Sequence, residues 1–143
     1  LDAALRLYAT MNRSLVDDHG LTLNDVRLLD LLAKSPTGAA RMGDVAEALM
    51  SLPSRVTRQI HRLERQGLVV RGASPEDGRG VLATITPDGR QALDEALQTY
   101  GAAVRAHFLD RLSRPQVTAM GENCRRISAG LKTGPAAAKI GRV

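Results

Sequence analysis

Residues 51–89 contain the strongest structural signals of the chain: SLPSRVTRQIHRLERQGLVVRGASPEDGRGVLATITPDG. Ser51 is predicted to cap a helix over 51–67, with Pro53 in its first turn and Gly67 as its stop signal. Proline is tolerated in a first turn because the amide there has no intrahelical partner, and glycine readily adopts the left-handed conformation at a helix end. The stretch therefore begins with a short basic helix.

Two short apolar runs follow that helix, at 68–70 and 81–86. Between them lies Asp77-Gly78, a strong signal for a tight turn because glycine reaches φ > 0 without steric cost. The pattern predicts a β-hairpin over 68–86, with Arg79 at its tip.

The predicted helix has two faces of opposite character. Its apolar positions recur at three-to-four spacing and predict an inward stripe: Val56, Ile60 and Leu63. Its arginines form a second stripe: Arg55, Arg58, Arg62 and Arg65. Glu64 is the only acid among them in the sequence, which is too little acid to neutralise the stripe. A basic helix face can simply be solvated, but this one is preceded by a short helix and followed by a hairpin, an order that favours DNA recognition.

The other segments complete a mainly α-helical fold with a small β-hairpin wing. The spacing predicts helices over 2–19, 22–34, 41–50, 87–112 and 113–131, and this order is typical of a winged helix-turn-helix. We expect residues 21–86 to form the DNA-binding winged helix-turn-helix region and residues 87–112 a long connecting helix. Residues 1–20 and 113–131 are expected to form dimerisation helices, and 132–143 a disordered tail.

Composition narrows the partner. The net charge is +5, which favours a polyanion, and aromatic residues make up only 2%, which argues against stacking on single-stranded nucleic acid. One cysteine excludes an intrachain disulfide and fits a cytoplasmic protein, and no apolar run approaches a membrane span. No catalytic or cofactor fingerprint and no metal-ligand spacing is present, so we expect neither an enzyme nor a cofactor.

Each DNA-contacting side chain can be given a role. Residues near the start of the recognition helix are expected to meet base edges: Ser54, Arg55, Thr57 and Arg58. Arg62 and Arg65 are expected to contact phosphates. At the wing, Arg79 is expected to enter the minor groove, and Asp77 to orient it by accepting a hydrogen bond from Arg79 or from Arg71, the residue expected to support the wing.

The region from Asp44 to Gly89 resembles the MarR family of winged-helix transcription regulators. The pattern that carries the resemblance is Leu63-Glu64-x-x-Gly67-Leu68-Val69 followed by Arg71, then Asp77-x-Arg79 and Thr86-x-x-Gly89. The flanking helices match in order and length. Gly78 departs from the pattern, because many members carry a basic residue there, and this departure predicts a more weakly binding wing.

The resemblance implies a homodimer on a pseudo-palindromic operator of double-stranded DNA, usually as a repressor. It also implies release by a small aromatic or lipophilic effector, although the sequence does not indicate the pocket residues. The alternative is a winged-helix module that binds another protein through the same surface. Cys124 is expected to pack as a small apolar side chain on the last helix rather than to act in redox chemistry.

Overall fold

The computed structural model describes residues 1–73 and 80–133. The described residues form these helices and strands: α1 (Asp2–His19), α2 (Leu23–Lys34), β1 (Ala39–Arg41), α3 (Met42–Ala48), α4 (Pro53–Arg65), β2 (Val69–Ala73), β3 (Val81–Ile85), α5 (Pro87–His107) and α6 (Arg114–Thr133). The predicted turn at Asp77-Gly78, the tip residue Arg79 and residues 134–143 of the predicted tail lie outside the described residues. None of the described helices combines the length and apolar character that a membrane span requires.

The predicted class, mainly α with a small β-hairpin, is confirmed. The start of α2 follows its predicted signal closely: Thr22 and Asp25 form a reciprocal capping box, in which the backbone amide of each residue donates to the side chain of the other. Two details are wrong. The N-cap of α4 is Leu52 rather than Ser51, and no side chain caps this end. Helix α5 ends at His107 rather than near residue 112, because Phe108 leaves the helical conformation and a 3₁₀ turn follows.

The three strands form one antiparallel sheet in the order β1-β3-β2. Strand β2 pairs with β3 from Val69↔Ile85 to Ala73↔Val81, which confirms the two arms of the predicted hairpin. Strand β1, which the sequence did not reveal, pairs with the other edge of β3, with Ala40 opposite Ala83. A strand of three residues is too short to show alternation, and its partner lies more than forty residues away along the chain.

The core of the winged region joins α4 to most of the surrounding elements. The predicted inward stripe, Val56, Ile60 and Leu63, is fully buried, which confirms that face of the helix. These residues share one apolar cluster with side chains from α1, α2, α3, α5 and the sheet. The cluster lies within the first of two compact units, Leu1–Ala103; the second begins at Val104.

One buried carboxylate ties α2 to α4. Asp25 is 0% exposed, and its Oδ2 accepts hydrogen bonds from the backbone amide of Thr22 at 2.7 Å and from the Thr22 hydroxyl at 2.6 Å. Its Oδ1 accepts from Gln59 Nε2 at 3.0 Å and from Arg62 Nη2. Burial of a charge is costly unless the charge is paired and hydrogen-bonded, and here both oxygens are satisfied. The carboxylate therefore fixes the position of α4 relative to the first turn of α2.

A close backbone approach holds the base of the wing against α5. A Cβ built on Gly89 would lie 2.1 Å from the Leu68 carbonyl oxygen and 2.9 Å from Ile85 Cγ1, so only glycine fits. Thr86 completes this junction, because its hydroxyl donates to the Gly67 carbonyl at 2.7 Å and accepts from the Gly89 amide at 2.9 Å. The Thr86-x-x-Gly89 pattern thus has a physical cause in the contact between helix and hairpin.

We expect Asp25→Asn to lower the free energy of unfolding by about 2–3 kcal/mol, because hydrogen bonds to a charged group contribute about 1.5–3 kcal/mol each and an amide replaces one accepting oxygen with a donor. Urea unfolding followed by circular dichroism measures the change. The matched control is Asp30→Asn in the same helix, whose ion pair with Lys34 is exposed and is expected to contribute less than about 0.5 kcal/mol. Equal losses in the two variants would contradict the assignment of Asp25 as the link between α2 and α4.

Gly89→Ala is expected to destabilise the fold by about 1–3 kcal/mol, the usual cost of overpacking, because the obstructing atom is a backbone oxygen. Gly101→Ala, in the same helix, has nothing within 4 Å of its new Cβ and is expected to stabilise by about 0.5–1 kcal/mol. Thermal unfolding at one protein concentration compares them. Unchanged stability of Gly89→Ala would show that the junction is not close-packed.

Candidate nucleic-acid interface

The polar face of α4 is available to a partner. Ser54, Arg55, Thr57 and Arg58, the residues expected to read base edges, are all exposed. Within the described part of the chain, no ion pair or side-chain hydrogen bond engages Arg55, Arg58 or Arg65. Three guanidinium groups of this helix are therefore unpaired, and guanidinium suits both guanine edges and phosphates.

Arg62 differs from the other arginines of α4. Its Nη2 donates to the buried carboxylate of Asp25, while its side chain remains 38% exposed. The sequence offered only Glu64 as a neutralising acid, and Asp25 was missed because it lies 37 residues earlier in the chain. The contact of Arg62 with phosphate stays a prediction, and the structure adds to it a role in positioning α4.

Thr57 has a restricted hydrogen-bonding capacity. Its hydroxyl donates to the Pro53 carbonyl at 2.9 Å, one turn earlier in α4. The hydroxyl proton is therefore used within the helix, and the side chain can offer a partner only an accepting lone pair and its methyl group.

A groove of 680 Å³ runs along α4, and its opposite wall is the first turn of α2. It is lined by Thr22, Asn24, Arg27, Leu49, Met50, Ser51, Arg55, Arg58, Gln59, Arg62 and Arg65. Among these described residues five are arginine and none is acidic, so the groove is electropositive. Sequence reasoning missed the contribution of α2, namely Asn24 and Arg27, because helical periodicity does not reveal which turn of α2 faces α4.

The base of the wing is tied to α4 by a polar cluster. Arg71 of β2 donates through Nε to Glu64 Oε2 at 2.8 Å, and its Nη1 lies 3.1 Å from His61 Nε2. Arg71 was expected to support the wing through Asp77, but its described partners are both on α4. Asp77 and Arg79 lie outside the described residues, so their predicted contacts stay predictions.

Outside the groove, the structure places Cys124 and the residue types that bind metals as follows. Cys124 is exposed on α6 of the single chain, and its expected packing on the apolar seam of that helix stays a prediction. No three His, Cys, Asp or Glu side chains of the described chain are grouped closely enough to hold a metal ion.

Comparison with known proteins agrees with this geometry. A model of the MarR family matches residues 19–80. The chain is 34% identical over 97 residues to the HTH-type transcriptional repressor Mb2911 of Mycobacterium bovis, an alignment that covers 68% of each chain. It is 29% identical over 91 residues to the uncharacterised HTH-type transcriptional regulator YkoM of Bacillus subtilis, and that match spans 64% of this chain and 58% of the relative.

Solved structures extend the likeness to nearly the whole chain. Sco3205, a MarR family transcriptional regulator from Streptomyces coelicolor solved in complex with DNA, aligns with a TM-score of 0.85 and 33% identity over 94% of this chain and 84% of its own. BpsR of Bordetella bronchiseptica, whose DNA binding is regulated by 6-hydroxynicotinic acid, aligns with a TM-score of 0.78 and 27% identity over 89% and 88%. Together with the family match, the winged fold and the arginine-lined groove, these likenesses establish that the chain belongs to the MarR family of winged-helix transcriptional regulators.

Proposed function

We propose that this protein is a homodimeric repressor that binds a pseudo-palindromic operator and is released by a small ligand. The observation that carries DNA binding is the groove along α4, where five arginines converge without an acid among its lining residues. A double helix presents one phosphate charge about every 1.7 Å of its axis, which such a surface neutralises. The DNA complex of the similar protein Sco3205 supports the same partner.

In this proposal α4 enters the major groove. Ser54, Arg55, Thr57 and Arg58 lie near its beginning, where recognition helices meet base edges. Arg58 is the candidate for a bidentate contact with guanine, because its guanidinium is exposed and unpaired. Arg62, Arg65 and, from the facing wall of the groove, Arg27 contact phosphates and fix the register of the protein on the duplex.

The wing supplies the second contact in this proposal. The strand β2 is anchored to α4 through Arg71 and Glu64, so a displacement of α4 is transmitted to the hairpin. Arg79 reaches the minor groove beside the bases that α4 reads, where a narrow groove concentrates negative potential. Asp77 orients that arginine.

The homodimer is proposed from apolar side chains of the terminal helices that the single chain leaves exposed. Leu5 and Tyr8 of α1 are 60% and 44% exposed, and Ile127 and Leu131 of α6 are 63% and 73% exposed. Exposed apolar residues in a row along a helix are typical of an interface. A two-fold homodimer that reads both halves of a pseudo-palindrome requires its two copies of α4 to lie about 34 Å apart, one turn of DNA.

The effector is proposed from a relative alone. BpsR responds to 6-hydroxynicotinic acid, a small aromatic acid, and an effector of aromatic or lipophilic character is inferred for this chain. Within this proposal the protein acts on DNA in the cytoplasm, and binding and release of the operator require no catalysis. A protein-binding winged helix is the second candidate; it would associate with an apolar partner in a salt-resistant manner and would not bind duplexes.

Arg58→Ala is expected to weaken operator binding by about 1–3 kcal/mol and to relax preference at one base pair, because it removes a bidentate contact. The measurement is recovery and sequencing of fragmented genomic DNA bound by wild type and variant, followed by titration of the recovered site. Wild type should enrich one inverted repeat.

Two further arginine variants distinguish a base-specific contact from a general electrostatic attraction to DNA. Arg13→Ala, on the exposed surface of α1, removes the same charge and should leave affinity nearly unchanged. Arg27→Ala should weaken all duplexes alike and reduce the slope of log affinity against log salt by about 1. If Arg58→Ala binds like Arg13→Ala, α4 does not read the DNA; if wild type enriches no sequence, the DNA-binding proposal fails.

Ile127→Glu is expected to convert the dimer to a monomer, because it places a charge where an apolar contact is proposed. Sedimentation equilibrium measures the mass, and binding to one half-site and to the full repeat measures the cost of losing the dimer. The matched control is Glu122→Gln, a polar change on the same helix. A dimeric Ile127→Glu protein would place the interface elsewhere.

A further inference from the structure

The turn between α3 and α4 holds an apolar side chain in an unfavourable backbone conformation. Met50 has φ 49°, and it is the only described non-glycine residue with positive φ. Its amide donates to the Glu47 carbonyl and the Ser51 amide donates to the Ala46 carbonyl, both at 2.9 Å. This is the paired hydrogen-bond pattern of a helix end whose left-handed position is usually glycine.

The Met50 side chain makes little packing contact with the rest of the protein. Met50 is 88% exposed, and the nearby Leu52 is 62% exposed. A left-handed conformation disfavours a residue with a Cβ, and a mostly solvated methionine returns almost no packing energy in compensation. We call Met50 and Leu52 the apolar edge of the turn. The conformation of Met50 therefore costs the free chain stability that the packing of its side chain does not return.

The location of Met50 indicates which kind of partner its side chain would contact. It lines the same groove as Arg55 and Arg58, directly before the recognition helix. The positive charge of this groove selects a polyanion rather than an apolar protein surface. On the major-groove edges of DNA, the C5-methyl of thymine is the apolar group that protein side chains contact.

We propose that Met50, with Leu52 extending the apolar edge, contacts a thymine methyl group in the operator and so contributes to sequence reading. The inference rests on the proposed DNA-binding function. It assigns the arginines to guanine edges and phosphates, and the apolar edge to a thymine at the position where the turn meets the major groove. The flexible thioether side chain suits this contact because it can adapt to the methyl position.

The test uses the full chain and the operator recovered from genomic DNA. Each thymine is replaced singly by uracil, which removes only the methyl group, and affinity is measured by fluorescence anisotropy. For wild type, one such replacement per half-site should weaken binding about fourfold, the equivalent of one buried methylene. In Met50→Gly and Met50→Asn, both compatible with positive φ, the same replacement should have no effect.

Stability measurements separate this role from a structural one. Met50→Gly should unfold at the same temperature as wild type or higher, while binding the thymine-containing operator more weakly. Leu52→Ala is the second variant, and it should reduce the methyl effect without changing the sites recovered from genomic DNA. If uracil replacement weakens wild type and the Met50 variants equally, or weakens none of them, the inference is overturned even though specific DNA binding stands. If wild type recovers no specific duplex, the proposed function itself has failed.

Discussion

The buried carboxylate of Asp25 links the two helices, α2 and α4, that form the arginine-lined groove. A charge with no exposed surface must be matched by donors, and the chain supplies them from two places: Thr22 at the start of its own helix, and Gln59 and Arg62 on α4. Satisfying the carboxylate therefore fixes α4 beside the first turn of α2. The groove lies between these two elements, and among its lining residues Arg55 and Arg58 have no described partner.

The arginines of α4 differ in their partners. Arg62 pairs with Asp25 while its side chain stays 38% exposed, whereas Arg55, Arg58 and Arg65 have no described partner. In the same last turn of α4, Glu64 accepts from Arg71 and so joins the hairpin to the helix. Helix α4 is thus linked both to the first turn of α2, through Asp25, and to the base of the wing, through Arg71. These links fix the positions of the exposed side chains of α4.

At the junction between the wing and α5, close packing rather than a buried charge fixes the relative position of the elements. Gly89 lets α5 approach the Leu68 carbonyl, and the Thr86 hydroxyl bridges the end of α4 and the start of α5. The turn at Met50 differs, because its side chain is exposed and its backbone is strained. The hydrogen bonds of the helix end hold that backbone in place. The close-packed junction at Gly89 and the exposed side chain of Met50 both lie within the compact unit Leu1–Ala103.

Local periodicity, turn chemistry and capping were enough to predict the order of the helices and the two arms of the hairpin. They also predicted the basic face of α4 and its buried stripe of Val56, Ile60 and Leu63. The sequence alone did not reveal strand β1, the pairing of Arg62 with Asp25, or the contribution of Asn24 and Arg27 to the groove. Each of these features joins residues that are distant in the chain. They come together only in the folded protein, where burial of the apolar stripe of α4 determines which polar groups lie beside that helix.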